Sequence, residues 1–381
     1  MLSRLAGYFQ VVWMNRPHGR RDYFSALQRL RSSTEYPTGT AALQIYQPEL
    51  WLPLLGWPAW LARFTSRQRL KRATDLLRAR GCTKLVLYIW RPDFASAIEE
   101  IEHDLSIYHV DDEYSFSPTE VEVSLAERSL LESVGQVFIH SLALMRKKGE
   151  FNPNTEFVPN GVDYKLYATP VPEPEDLRNI PRPRIGYVGT LKRMLNWPLL
   201  LELSVSHPQW SFVFVGPKAP HHKIEGMIKL MSSRPNVHFL GGKPTDCLGG
   251  YLQHFDVCTM PYQVDDYTKY IYPLKMHEYL ASGRPVVSAP ICSVEEFSHV
   301  VGTASNHEEW SNVIERALSR EENVPARCAV RQRVAREHDW EVLVAKIAGT
   351  ITERLGIRPL STLPGNIKLS DKSIAAAKGK K

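Results

Sequence analysis

Apolar residues along this chain follow two rhythms. Short continuous apolar runs alternate with stretches in which apolar positions recur every three or four residues, and Gly, Pro or charged residues separate the two. The runs predict strands at Phe9–Met14, Leu43–Tyr46, Lys84–Trp90, Leu105–Val110 and Gln136–His140, and again at Arg184–Val188, Ser211–Val215, Val237–Leu240, Asp256–Met260 and Pro285–Ser288. The second rhythm predicts helices at Tyr23–Arg31, Arg63–Arg80, Thr119–Ser133 and Leu142–Lys148. Further helices are expected at Trp197–Ser206, Lys223–Ser232, Thr245–His254, Leu274–Ser282, His307–Ser319, Pro325–His338 and Glu341–Leu355. Strand and helix alternating over the whole length is the mark of βαβ units, so an α/β fold with parallel sheets is expected.

The alternation breaks once. Residues 169–176 read Thr-Pro-Val-Pro-Glu-Pro-Glu-Asp, and Pro181-Arg182-Pro183 follows. Proline at this density predicts an extended connector and not a packed element. Just before it, Asn160-Gly161 within the stretch Val158-Pro-Asn-Gly-Val-Asp163 marks a turn. The chain is therefore expected to divide into an N-terminal domain at 1–168, a linker at 169–183 and a C-terminal domain at 184–340, followed by a helix at 341–357 and a tail at 358–381.

Composition narrows function mainly by exclusion. A hydrophobic fraction of 43% with 23% charged residues is ordinary for a globular protein. The five cysteines (Cys82, Cys247, Cys258, Cys292, Cys328) form no Cys-x-x-Cys pair, which argues against a disulfide framework or a structural zinc and fits a reducing cytosol. No apolar stretch reaches the ~18 residues of a spanning helix, and the N-terminus lacks a signal core. A cytoplasmic location is expected. The formal net charge of +6 is concentrated at the end: residues 361–381 hold five Lys and one Asp, which leaves +2 for the rest. That small, polar tail reads as disordered. No nucleic-acid-binding motif is present, so no nucleic-acid partner is expected.

The richest segment is Tyr272-Pro-Leu-Lys-Met-His-Glu-Tyr-Leu-Ala-Ser-Gly-Arg-Pro-Val-Val-Ser288. Pro273 presets φ for a helix start, Gly283 allows a left-handed stop, and Pro285-Val-Val-Ser288 is a buried strand. Lys275 and Glu278 then share one helix face. The free N–H groups and positive dipole end attract an anion, Lys275 adds a full charge, and Glu278 offers a carboxylate to neighbouring hydroxyls. An anion site beside a diol site is what a nucleotide diphosphate requires. A solvated, salt-bridged helix start is the plainer alternative.

The segment resembles the nucleotide-sugar motif of family-four-like glycosyltransferases with the two-domain GT-B fold, of the bacterial polysaccharide and teichuronic-acid type. The resemblance implies two Rossmann-like, doubly wound domains facing a cleft, with the helix at 341–357 crossing back onto the first. It implies that Glu278 binds the donor ribose. A second Glu, eight positions earlier in many members, is Tyr270 here; Asp265 and Asp266 lie nearby. The Pro-Asn-Gly-Val-Asp stretch resembles the hinge that closes the first domain. GT-B first domains open with a strand, a glycine loop and a helix, for which Met1–Gly7 is too short. The N-terminal domain is expected to lack this first βα unit.

The same resemblance assigns further donor residues. Gly189, ending the strand Ile185-Gly-Tyr-Val-Gly189, falls beside the donor phosphates. On the residues alone, Lys192 and Arg193 after it read either as a partner for the diphosphate or as a solvated basic loop. Gly216 faces the cleft, and the backbone of Leu240, Gly241, Gly242 and Lys243 reads the nucleobase. All lie at strand C-termini, where open α/β sheets bind ligands. On the acceptor side, Asp111 and Asp112 end an apolar strand and are candidate general bases, against the simpler role of turn capping. No Asp-x-Asp stands on the donor side as a Mg²⁺ holder, so neither metal nor cofactor is expected. Trp51, Trp57 and Trp60 precede a helix rich in Arg63, Arg67, Arg69, Lys71, Arg72, Arg78 and Arg80. Aromatics beside a basic helix suit peripheral contact with the inner membrane surface.

The expected activity is transfer of a sugar from a nucleotide-diphosphate sugar to a hydroxyl of a cell-surface glycan or lipid-linked saccharide. The alternatives are a non-catalytic nucleotide-sugar-binding relative, which Tyr270 and the short N-terminus suggest, and a nucleotide-sugar epimerase.

Overall fold

The structure, a computed structural model, describes residues 1–17, 42–55, 58–115, 121–219 and 222–357. The helix expected at Tyr23–Arg31, Trp57 and the tail at 358–381 lie outside these residues. Among the described residues, six strands lie in the N-terminal half: β1 (Val11–Met14), β2 (Leu43–Tyr46), β3 (Val86–Ile89), β4 (Leu105–Val110), β5 (Gln136–Ile139) and β6 (Thr155–Phe157). Six form the C-terminal half: β7 (Arg184–Val188), β8 (Ser211–Val215), β9 (Val237–Gly241), β10 (Val257–Met260), β11 (Val286–Ser288) and β12 (Val301–Thr303). Each strand pair is parallel.

The C-terminal sheet runs β12-β11-β10-β7-β8-β9. Strand order reverses between β7 and β10, so a crevice opens there at the strand C-termini. β7, β8, β10 and β11 are buried throughout, as a sheet covered by helices on both faces requires. A single hydrophobic core runs through this half, with the Trp310 and Phe255 rings fully enclosed.

The N-terminal half is divided. β3-β4-β5-β6 form one sheet, and β1-β2 a separate parallel pair. The Trp13 and Trp90 rings lie edge to face with centres 6.5 Å apart, so β1 lies near the end of β3 without joining its ladder. A single doubly wound sheet was expected; among the described residues its first two strands stand apart. Two core clusters line the opposite faces of the four-stranded sheet. One is completed by the Trp340–Arg354 helix, whose Leu343, Val344, Ile347 and Ile351 pack on Leu105, Ile107 and Phe138. The last helix therefore crosses from one half to the other. Its entry is pinned where the Val162 N–H donates to the His338 carbonyl (2.9 Å) and the Trp340 N–H to the Val162 carbonyl (3.0 Å).

The connector is not the loose, extended segment that its prolines predict. Glu175–Arg178 forms a helical turn, Leu177 is wholly buried, and Ile180 joins the C-terminal core. Proline restricts the path of this segment, and its two apolar side chains, three residues apart, anchor it on the domain. The helix expected from Thr119 starts at Leu125, where the Ser124 hydroxyl accepts the Glu127 N–H. The strands β6 and β12, three residues each, carry too short an apolar run to be read from pattern, and both lie at sheet edges.

Candidate functional site

The Leu274–Ala281 helix follows β10 and starts at the switch point of the C-terminal sheet. Pro273 flanks it as N-cap, and Gly283, at φ +77°, lies just past its end. Among the described residues, the N–H groups of Leu274 and Lys275 have no backbone partner. The Lys275 side chain lies along the C-terminal end of β7: a Cβ placed on Gly189 would come 2.2 Å from its Cε and 2.6 Å from its Nζ. Its ammonium stands 5.6 Å from the centre of the Tyr187 ring. Only glycine at 189 leaves room for this cation.

Gly189 and Gly216 abut. The Gly189 N–H donates to the Val215 carbonyl and the Gly216 N–H to the Gly241 carbonyl, each at 2.8 Å. With φ of +141° and +149° these residues hold a conformation open to glycine, and a Cβ on Gly216 would fall 2.1 Å from the Gly189 oxygen. Gly241 continues the row at the end of β9, with Gly242 beside it. The ends of β7, β8 and β9 thus form a side-chain-free shelf beside one cation.

Glu278, one turn along from Lys275, is half-buried and accepts a hydrogen bond from the Tyr167 hydroxyl. No ion pair joins Lys275 to Glu278 among the described residues, so the solvated salt bridge is not what forms. Burial, with Lys192 nearby, holds Lys275 below the ordinary lysine range against the pull of Glu278. Burial raises Glu278 in the same way, opposed by Lys275 and Tyr167. Two charged groups are thus kept partly desolvated on one inward helix face, where an incoming ligand's charges and hydroxyls count most.

The remaining donor-side residues divide. Lys192 and Arg193 are exposed on the loop after β7; the Lys192 carbonyl accepts the Trp197 indole N–H (3.1 Å), and Arg193 makes no ion pair among the described residues. Leu240 is half-buried, and Gly241 and Gly242 are exposed. The Lys243 side chain is committed elsewhere, donating to Asp176 at 2.6 Å and lying over Tyr251. Its backbone remains beside the shelf.

Across the crevice, Asp111 is exposed and accepts the Tyr114 hydroxyl at 2.6 Å. Asp112 is half-buried, and its carboxylate accepts the Glu113 N–H at 2.8 Å. Burial lifts Asp112 above the usual carboxylate range, with Asp111 and Glu113 adding to the shift. The next residue anchors this loop. Lys148, fully buried, lies 3.0 Å from Glu113 and 2.7 Å from Glu127; Glu127 also accepts the Tyr108 hydroxyl (2.9 Å) and the Ser115 hydroxyl (2.9 Å).

The two sides meet. Tyr267, from the loop after β10, lies close enough to Asp112 to feel its charge. His140, at the end of β5, donates from Nδ1 to the Val110 carbonyl (2.8 Å) and lies edge-on to the Tyr272 ring at 6.3 Å. The Tyr272 hydroxyl is 2.8 Å from His277 Nε2, on the helix of Lys275 and Glu278. Asn160 ties the hinge turn to the Tyr272 carbonyl at 3.0 Å. Tyr270, at the position of the resembled family's second Glu, is buried in the N-terminal core with Val110, Ile139 and Leu144. Asp265 accepts the Thr268 N–H (2.8 Å) and so closes a local turn.

Sequence reasoning missed Tyr167, Tyr187 and His140 as members of the site. Tyr167 carries no local signal beyond its place after the Asn160-Gly161 turn.

Comparison with known proteins agrees with this architecture. Residues 182–320 match the family described as Glycosyl transferases group 1. A stretch of 202 residues is 27% identical to the protein named putative teichuronic acid biosynthesis glycosyltransferase TuaH of Bacillus subtilis (strain 168); the match covers 50% of this chain and 49% of that one. The chain thus spans about half the length of the curated relative it matches. Among solved structures, Anabaena HepE in complex with UDP and glucose superposes with a TM-score of 0.61 at 15% identity, over 91% of this chain and 100% of that one. Trehalose-6-phosphate synthase of E. coli bound to UDP-2-fluoro glucose gives 0.61 at 13% identity, over 91% and 99%. The fold is GT-B.

Proposed function

We propose that this chain, with a GT-B fold and a C-terminal half that matches the group 1 glycosyl transferases, moves a sugar from a nucleotide-diphosphate sugar to a hydroxyl of a cell-surface glycan or lipid-linked saccharide. The observation that carries the reading is the partly desolvated Lys275 ammonium against Gly189, with Glu278 one turn along the same helix. In this reading the glycine shelf admits the diphosphate, and Lys275, the helix amides and Arg193 neutralise it as it leaves. These groups, and not a metal ion, are assigned that task. Glu278, held by Tyr167, accepts from the donor ribose, and the backbone of 240–243 meets the nucleobase.

Asp112 is the preferred base if transfer inverts the anomeric centre. Its raised pKa makes it a better proton acceptor than an ordinary carboxylate, and Asp111 is occupied by Tyr114. No helix among the described residues is long and apolar enough to cross a membrane. The reading places the enzyme in the cytoplasm, with peripheral contact at the inner membrane surface, where a lipid-linked acceptor would lie.

A thermal-shift panel of UDP-, GDP-, dTDP- and ADP-sugars tests the donor site. One donor at about 100 times its Kd is expected to add roughly 2.7 kcal/mol of stability. Lys275→Ala and Glu278→Ala are each expected to abolish the shift, and a shift retained in both rejects the site. The displacement of Tyr270 from the shelf favours a second reading, a non-catalytic binder of nucleotide sugars. Donor turnover separates enzyme from binder, and product identity separates transfer from epimerisation.

A further inference from the structure

The Ala59–Arg78 helix packs on the N-terminal half through Thr65, Arg69 and Leu70. Its outward face is not the polar surface that such packing predicts. Trp60 is 71% exposed and Phe64, one turn on, 52%. Arg63, Arg67 and Lys71 are exposed beside them at the three- and four-residue spacing that puts side chains on one helix face. Among the described residues, neither Arg63 nor Arg67 makes an ion pair. Trp51, 58% exposed, adds a third aromatic ring, with the Arg72 guanidinium 4.8 Å above it. From Ala59 to Arg78 the helix has six cationic residues and one acidic one, Asp75, which pairs with Lys71 at 2.9 Å.

Among the described residues, no ring or cation contact engages Trp60 or Phe64, two large aromatics facing solvent within a cationic field. Rings of this kind gain most at the boundary between lipid headgroups and acyl chains, and the cations gain most from anionic headgroups. An acidic protein partner would satisfy the charge and leave the exposed rings without an apolar phase. We infer that the Trp60, Arg63, Phe64, Arg67 and Lys71 face, with Trp51 beside it, docks on an anionic phospholipid bilayer and lies in its interface without crossing it. This deepens the peripheral contact in the functional reading, but it rests on the face itself and not on the donor site.

The test is co-sedimentation of the full chain with vesicles of phosphatidylcholine alone, or with roughly a third phosphatidylglycerol. Binding is expected only with the anionic lipid and is expected to weaken with salt. Arg63→Gln with Arg67→Gln removes two surface cations and is expected to weaken partitioning about thirtyfold. Trp60→Ser with Phe64→Ser is expected to leave an interaction that high salt abolishes. Both double variants replace exposed side chains, so unchanged thermal unfolding and an unchanged nucleotide-sugar shift will show that fold and donor site are intact. Undiminished binding in both variants would overturn the proposal and leave attachment to the Lys-rich tail. Absence of binding to anionic vesicles by the unmodified chain would overturn it as well. A failed nucleotide-sugar shift with intact vesicle binding would count against the donor reading alone.

Discussion

The two halves carry the same kind of sheet but build their interiors and their shares of the crevice differently. The C-terminal half has one continuous apolar core, and its side of the crevice is mostly backbone: glycines at three adjacent strand ends, a helix tip and one lysine. The N-terminal half has two clusters separated by its sheet and a fully buried charged group, Lys148 between Glu113 and Glu127. Its side of the crevice consists of carboxylates carried on that network. A site built from main chain depends on what is left out, since any added Cβ fills it. A site built from side chains depends on every buried partner being present.

The largest effect expected from this contrast is on the N-terminal side. Lys148→Met leaves Glu127 buried without its cation and Glu113 with Lys147 alone, 3.2 Å away, at a cost of about 3–5 kcal/mol in denaturant unfolding. Adding Glu113→Gln and Glu127→Gln is expected to restore much of the loss. A loss below about 1 kcal/mol for the single variant would mean that the network is not the support described. On the C-terminal side, Gly216→Ala drives a methyl group into the Gly189 carbonyl and is expected to cost about 2–4 kcal/mol. It is also expected to remove the nucleotide-sugar thermal shift, whereas Lys148→Met in the surviving folded fraction should leave donor affinity unchanged.

The smallest effect is read in acid. Burial, with His140 nearby, pushes His109 down to about 3 from the ordinary 6.5. A base depressed in the fold binds its proton more tightly in the unfolded chain, so stability falls as pH drops from 6.5 towards about 3. Between pH 7 and pH 5 this one group accounts for a loss of about 2 kcal/mol. His109→Gln is expected to remove that part of the acid sensitivity in urea titrations. His277 is depressed as well, by burial and then by His338 stacked 4.0 Å away, so the C-terminal half keeps an acid response of its own.

Much of the fold was legible because a buried parallel strand has to be an apolar run and an amphipathic helix has to repeat at its own period. The strands Leu105–Val110, Arg184–Val188 and Ser211–Val215 and the helices Leu142–Lys148 and Trp197–Ser206 coincide with their expected bounds. That Lys275 and Glu278 share a helix face was legible for the same reason: their spacing, the proline before them and the glycine after them are all local. The packed connector was not, because proline density describes a path and Leu177 and Ile180 reveal their partners only in three dimensions.

By itself, the sequence determined the order of most strands and helices, which strand ends carry glycine, and that Lys275 and Glu278 share one helix face, since each depends on neighbours within a turn or two. Only the tertiary structure decided that Tyr270 belongs to the opposite domain's core, that Tyr167 holds Glu278, that Lys243 turns to Asp176, and that Asp112 stands across from Tyr267. These pairings join residues far apart in the chain. Periodicity records that a side chain is to be buried, but chain closure and packing choose the surface that buries it.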